Sequence, residues 1–178
     1  MNRKRAARFR WALCLAAMFA LLAGRPLISW SADAAVQVRL DAKQAGPRAV
    51  EPLTERGILR DYRFAWTGLA QALEVNTLDP LEGAFAGPAK DWLGQTITAQ
   101  QHSGLSQRYS DQNHRLEAVF YAPEGDVMEL HDTAEFQLRI MDGGRVLHDD
   151  HVVIHYVVLM TPGADRWVIR QLQAVSHF

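Results

Sequence analysis

Residues 127–160 read VMELHDTAEFQLRIMDGGRVLHDDHVVIHYVVLM, and this stretch decides the fold. Apolar and polar residues alternate on both sides of Asp142-Gly143-Gly144-Arg145, a pattern typical of two antiparallel strands joined by a tight turn. A pair of glycines between two such runs favours a two-residue loop. The stretch therefore predicts a long β-hairpin.

The same alternation continues on both sides of this hairpin. Strand-like runs cover His114–Ala122 and Trp167–Ser176, and a weaker run, Leu105–Asp111, extends the first of them across a bulge. The separators, Pro123–Asp126 and Thr161–Asp165, are rich in turn-forming residues. These patterns predict a meander of four long antiparallel strands.

Before Gly104 the apolar period changes from two residues to that of a helix. A first helix of about 20 residues is expected from Leu53, because its apolar residues follow helical spacing. Asp79-Pro80 predicts the start of a short second helix, and Pro88 the start of a third that ends at Ser103. The predicted inner faces are Leu59, Tyr62, Trp66, Leu69, Ala70 and Leu73 on the first helix, and Ala89, Trp92, Leu93, Thr96 and Ile97 on the third. The predicted fold class is α+β, with N-terminal helices packed on a curved antiparallel sheet.

This order of elements resembles the nuclear-transport-factor-2-like superfamily, whose fold is a cone of helices and curved sheet. The resemblance rests on Trp66, Leu73, Asp79-Pro80-Leu81 and Phe85, on the hairpins, and on the closing Asp165-Arg166-Trp167-Val168-Ile169. The superfamily includes ketosteroid isomerase, scytalone dehydratase and polyketide cyclases. The details are most similar to its non-catalytic extracytoplasmic members, such as the intermembrane-space domain of a chloroplast-division protein. The resemblance spans about Thr54 to the last residue and implies a fold, not an activity.

The N-terminal segment has the order of an export signal. A stretch with five basic and no acidic residues precedes the apolar run Trp11–Gly24, as in a secretory signal. Fourteen residues rise about 21 Å as a helix, which is shorter than a hydrocarbon core of about 30 Å. Ala32-Asp33-Ala34 offers a cleavage site, whereas Leu27, Ile28 and Trp30 extend the apolar run far enough for an anchor. We therefore expect a signal peptide or membrane anchor over residues 1–34, a linker over 35–52 and a folded domain over 53–178.

Composition and charge restrict the class of protein. The chain has 178 residues and a formal net charge of -1. Without the five basic residues of the first 24, 14 basic residues stand against 20 acidic ones, a net charge of -6. A domain with this charge is a poor ligand for nucleic acid. The single cysteine, Cys14, lies in the apolar run, so the domain has no disulfide to stabilise it.

The hairpin register predicts a small polar cluster. If Gly143-Gly144 form the loop, the numbers of residues opposite each other add up to 287, which places Asp132 opposite His155. A first hairpin that turns at Glu124-Gly125 places Glu117 beside Asp132, and Arg170 joins from the last strand. These side chains are expected on the more apolar sheet face, which we assign toward the helices. In the fold that this chain resembles, the first helix lies across the open end of the cone, which implies that Tyr62 and Trp66 line the mouth of a cavity there.

Two interpretations of this cluster remain open. An aspartate that orients a histidine, or a carboxyl with a raised pKa, is a general acid–base arrangement or a ligand site. A buried network that ties strands together gathers the same residue types. Residues four apart on one strand lie about 13 Å from each other, so the histidines near Asp149-Asp150 do not form a metal site. From the sequence we predict no cofactor and no metal, and we assign no catalytic residue.

The other sheet face is the expected surface for self-association. The predicted register sets an apolar stripe there: Val152, Ile154, Tyr156 and Val158. The resemblance implies that this face builds dimers, with the stripe at the centre of the interface. A solvated sheet face with scattered apolar residues has the same pattern.

Two functions follow from the sequence. The first is a non-enzymatic extracytoplasmic association domain, membrane-anchored or secreted, that contacts an envelope protein or a second copy of itself. The second is a small exported enzyme or carrier of isomerase or dehydratase type, which binds a hydrophobic small molecule with Asp132 and His155.

Overall fold

A computed structural model describes residues 35–178, and these form an α+β fold with two helices packed on a five-stranded mixed sheet. The predicted fold class, α+β, is confirmed. The helices are α1 (Pro52–Val75) and α2 (Gly87–Ser103), with a 3-10 turn at Asp79–Leu81 between them. The strands are β1 (Gln37–Asp41), β2 (Leu105–Tyr121), β3 (Met128–Asp142), β4 (Arg145–Pro162) and β5 (Trp167–Val175), and they lie in this order in the sheet.

Strand β1 corrects the predicted linker. Residues 37–41 pair in parallel with Asn113–Glu117 of β2, so this part of residues 35–52 belongs to the sheet. The strand escaped prediction because it is five residues long and buries one residue, Val38. It also makes the sheet mixed, where a wholly antiparallel sheet was predicted.

The predicted leader, residues 1–34, lies outside the described residues. Within residues 35–178, neither helix combines the length and the apolar character that a membrane span needs.

Helix α1 covers the inner face of the sheet as the apolar period predicts. Tyr62, Trp66, Leu69 and Leu73 are buried, and Ile58, Ala65 and Ala72 complete the apolar face. The helix ends at Asn76, which adopts a left-handed conformation and donates a hydrogen bond from Nδ2 to the carbonyl oxygen of Leu105 at 2.7 Å. On α2 the prediction is wrong at Trp92, which is 48% exposed.

Strand β2 is continuous across the predicted bulge. Its register with β3 shifts between Ser110 and Asn113, and Asp111 has a positive φ of 53°. The weak run before this point therefore extends the strand, as the sequence predicts.

Both hairpins begin in the predicted register and then lose it. Asp142 pairs with Arg145 and Met141 with Val146, as a two-residue loop requires, but Ile140 pairs with His148. One extra residue of β4, Leu147, enters the ladder at this bulge. Because successive side chains of a strand alternate between faces, one inserted residue moves every later side chain to the opposite face.

The first hairpin contains a similar bulge. Tyr121 pairs with Met128 and Phe120 with Glu129, but Ala118 pairs with Leu130, so Val119 is the extra residue. On the side of this bulge away from the turn, the even-numbered residues of β2 from Ala118 back to Gln112 face the core. The two bulges together decide which side chains meet under α1.

Candidate functional site: a buried aspartate network

Asp132 is the centre of a polar network inside the core. Its Oδ2 accepts a hydrogen bond from the Tyr62 hydroxyl at 2.8 Å and lies 2.8 Å from His114 Nδ1. A carboxylate oxygen accepts, so Nδ1 of His114 is the donor in this pair. Asp132, His114 and Tyr62 are each 0% exposed. The sheet and α1 are thus joined by one buried carboxyl group.

Local geometry brings these groups together. Leu116 pairs with Asp132 and His114 with Ala134, so His114 and Asp132 are diagonal neighbours on the same sheet face. Tyr62 and Trp66 are four residues apart on α1 and project from one side of that helix.

Trp66 completes the network from above. Its ring lies 4.2 Å from the imidazole of His114, centroid to centroid, and the Tyr62 ring meets the same imidazole edge-on at 5.6 Å. Phe136 and Tyr156 pack against Trp66 at 6.3 and 5.6 Å. The polar groups are therefore enclosed by aromatic rings.

Each of three side chains in the network has one buried polar atom without a partner among the described residues. These atoms are Asp132 Oδ1, His114 Nε2 and Trp66 Nε1. Leaving a buried polar group unpaired costs about 1–3 kcal/mol, so each of these three atoms lowers the free energy of unfolding.

The chemistry of the network is restricted by burial. A carboxylate that orients an imidazole is a suitable acid–base pair, but proton transfer requires a substrate atom within about 3 Å of the group. With each of the three side chains fully buried, the described residues leave no surface on them for a substrate. The arrangement fits a network that joins α1, β2 and β3.

The structure unites some of the predicted site residues and separates others. Asp132, Tyr62 and Trp66 belong to one cluster, although as buried core groups. His155 lies on the outer sheet face, half-buried, with Nδ1 3.2 Å from Thr133 Oγ1. Glu117 is exposed opposite His131. The predicted pairs of Asp132 with His155 and with Glu117 are wrong because the two bulges shift the register.

Arg170 and the predicted interface residues are also displaced. Arg170 is exposed and donates to Thr161 Oγ1 at 2.8 Å. Tyr156 and Val158 are 6% and 0% exposed and belong to the core. Val152 and Ile154 are half-buried and pack against the same core. This stripe faces the helices, so the predicted dimer interface on the outer face is wrong.

His114 is the network member that the sequence interpretation missed. A signal for it was present, because Gln112, His114, Leu116 and Ala118 alternate with polar residues in the strand period. The predicted hairpin register assigned the odd-numbered residues of this strand inward, so the histidine was placed outside.

A separate cavity lies between the helices and the sheet. Its volume is about 130 Å³. Side chains of α1 and α2, apolar except for Thr96, form one wall, and Gln107, Tyr109, Tyr156 and Leu172 form the other. None of the five predicted ligand-binding residues is among the described residues that line it. Within residues 35–178, no group of three or more His, Cys, Asp or Glu side chains is arranged to hold a metal ion.

Burial also changes the acidity of the tyrosines around the core. Burial raises the pKa of the Tyr62 hydroxyl well above its ordinary value, and the charge of the nearby Asp132 carboxyl raises it further. Burial raises the pKa of Tyr109 to about 12 and raises that of Tyr156 as well.

These shifts predict alkaline unfolding. In the unfolded chain tyrosine ionises near pH 10, whereas the folded chain retains these protons to higher pH. Stability is therefore unaffected well below pH 10 and falls as pH rises from about 10 to 12, because the unfolded state releases protons first. We expect the phenolate absorbance at 295 nm of these tyrosines to rise together with the loss of near-ultraviolet circular dichroism. A Tyr109→Phe variant should lose stability less steeply with rising pH. Ionisation of Tyr62, Tyr109 and Tyr156 near pH 10 in a folded chain would contradict the prediction.

The comparisons with known proteins concern the fold alone. No protein-family model and no curated protein matches the sequence. The chain is similar to a solved structure, the intermembrane-space region of the chloroplast protein ARC6, with a TM-score of 0.59 and 14% sequence identity. The match covers 72% of this chain and 98% of that chain. The similarity therefore extends over nearly the whole of that region.

Proposed function

We propose that this chain is a non-enzymatic, extracytoplasmic protein-association domain of the nuclear-transport-factor-2-like type. Its N-terminal segment would anchor it to a membrane or direct its export. The basic, then apolar order of that segment supports the location, and so does the structural neighbour, which is a region of an intermembrane space. The order of helices and strands supports the assignment to this superfamily.

The observation that carries the association function is an exposed strand edge. The last pair between β4 and β5 joins His155 to Val175, but β4 begins ten residues earlier, at Arg145. Within residues 35–178, no backbone group pairs with Arg145–Ile154 on the side away from β3. Val146, Leu147 and Val153 along this edge are 48%, 49% and 52% exposed. An unpaired edge with exposed apolar side chains is a template for association with another chain.

The chain itself turns away from this edge. After Val175 the last residues cross to the outer sheet face, where the Phe178 ring stacks on His131 at 4.3 Å and meets His155 edge-on at 5.0 Å. The described C-terminal residues therefore leave β4 uncovered.

In-cell photo-crosslinking tests the association function. The crosslinking amino acid p-benzoyl-L-phenylalanine would replace Val153 in the full chain, and Gln95, exposed on α2, would be the matched control. We expect a discrete adduct from position 153, with a partner that mass spectrometry identifies as extracytoplasmic, and none from position 95. A folded variant that yields no adduct from position 153 would overturn the proposal.

A second candidate function rests on the 130 Å³ cavity. An apolar cavity of about 150 Å³ holds a molecule such as benzene, and Leu69, Leu93 and Leu172 supply an apolar part of this one beside the polar groups of Thr96 and Gln107. Binding of indole or benzene to the full chain, followed by methyl shifts of Leu69 and Leu93 in nuclear magnetic resonance spectra, would favour a carrier. Unchanged methyl signals at millimolar ligand would leave association as the function.

A further inference from the structure

We propose that the β4 edge at His148–Ile154 binds an extended segment of another protein that carries lysine or arginine opposite Asp150 and apolar residues opposite Val152 and Ile154. This inference rests on the proposed association function and specifies the chemistry of the partner.

The backbone of this segment is suited to accept a strand. From His148 onward β4 pairs with β3 without a register shift as far as Ile154, so it follows the bulge as a regular strand. In such a strand every second residue directs its N–H and C=O groups away from the paired strand, here β3, and toward the open side. The part of β2 before Asn113, which β1 leaves uncovered, is interrupted by the bulge at Asp111, and a bulge disrupts pairing.

The side chains on the inner face define the sequence that fits. Asp150, Val152 and Ile154 lie on one face, and Val152 and Ile154 continue the apolar surface of their β3 partners, Phe136 and Ala134. Apolar residues of an added strand would extend this surface by one row.

Asp150 supplies the charge preference. It is exposed, and within residues 35–178 no Lys or Arg nitrogen lies within ion-pair distance of its carboxylate. Its neighbour Asp149 already pairs with Arg139, at 3.0 Å on the other face. A cation directly opposite Asp150 would therefore gain a partner without displacing one.

A second copy of this chain is a poor occupant of the same edge. In an antiparallel pair, two residues opposite each other both direct their N–H and C=O groups toward the partner strand, or both direct them away. When two identical β4 strands pair about a two-fold axis, one residue of β4 therefore lies opposite its own copy. Centred on Asp149 or Asp150, the two carboxylates of that residue face each other. Centred on His151 or Val152, each Asp150 faces Val152 or Ile154 of the other copy. Like charges or a carboxylate against an apolar residue disfavour each arrangement.

A peptide titration of the isotope-labelled full chain tests this inference. The probe is a capped seven-residue peptide of sequence Thr-Val-Thr-Val-Thr-Lys-Thr. Its control has glutamate in place of lysine. We expect the amide signals of His148–Ile154 to shift. The dissociation constant for the lysine peptide should be about three- to tenfold lower than for the glutamate peptide.

A charge swap supplies the decisive comparison. Asp150→Lys should reverse the preference between the two peptides, whereas Glu124→Lys, an equal charge change in an exposed turn, should retain it. Shifts outside β4, no preference for lysine, or no reversal would overturn the inference. Self-association of the chain that Asp150→Lys abolishes would also overturn it. A specific adduct from position 153 without peptide preference would leave the association function intact and reject the strand partner alone.

Discussion

Replacing Asp132 with alanine is expected to lower the free energy of unfolding by about 3–5 kcal/mol. The substitution removes the acceptor of both the Tyr62 hydroxyl and His114 Nδ1 and leaves a void in a fully buried site. Urea unfolding followed by far-ultraviolet circular dichroism measures the change. Because no described surface of the site reaches solvent, the loss should be the same with and without small-molecule ligands.

Two further variants make this prediction decisive. Asp149→Ala removes a carboxylate of the same strand pair that is exposed and bound to Arg139, and it should cost less than about 1 kcal/mol. Tyr62→Phe removes a single hydrogen bond and should cost about 1–3 kcal/mol, which keeps the test available if Asp132→Ala does not fold. Equal small losses for the two aspartate variants would show that the network does not stabilise the fold, and would favour a functional interpretation of Asp132.

Replacing Gly68 with alanine is expected to destabilise the chain by about 3 kcal/mol. Gly68 is buried in α1 where the helix meets the 3-10 turn, and a Cβ atom there would overlap the backbone carbonyl oxygen of Pro80. That turn cannot move freely, because Ala84 just after it accepts a backbone hydrogen bond from Ile169 at 2.9 Å. The clash therefore pushes α1 away from the sheet or shifts β5.

Gly57→Ala is the matched control in the same helix. Its added Cβ would lie 3.7 Å from the Trp167 ring, an ordinary contact. Because alanine has the higher helix propensity, this variant should gain up to about 1 kcal/mol. Opposite signs for the two variants are the expected result from chemical denaturation. If Gly68→Ala also stabilised the chain, the close approach of α1 to the turn would be refuted.

The elements of the fold were predictable from local patterns. The apolar period identified α1 and α2, and the turn chemistry around Gly143-Gly144 located the central hairpin. For β2, the extension of the strand across a bulge by the weaker run Leu105–Asp111 was also predicted. Strand β1 was not predictable, since its five residues carry too little pattern to separate a strand from a linker.

The candidate site was predictable only in part. Asp132, Tyr62 and Trp66 were predicted to line one cavity and instead form one buried cluster, in which the partner of Asp132 is His114, not His155 or Glu117. The reason lies in two single-residue bulges, at Val119 and Leu147. Residues 152–160 are apolar at both odd and even positions except for His155 and Tyr156, so their pattern does not reveal which face is inside.

The amino-acid sequence by itself determined the two helices, the strands β2 to β5 and the hairpin turns, because apolar period and turn residues are local patterns. Strand β1 became evident only in the tertiary structure. The sequence also determined the charge division between the first 24 residues and the rest. Only the tertiary structure decided which carboxylate meets which imidazole and which apolar stripe faces solvent. A strand alternates faces at every residue, so a bulge of one residue reverses the environment of every side chain beyond it. The same shift buried Tyr156 and Val158 and placed Asp150 on the inner sheet face, where it remains exposed at the free edge of β4.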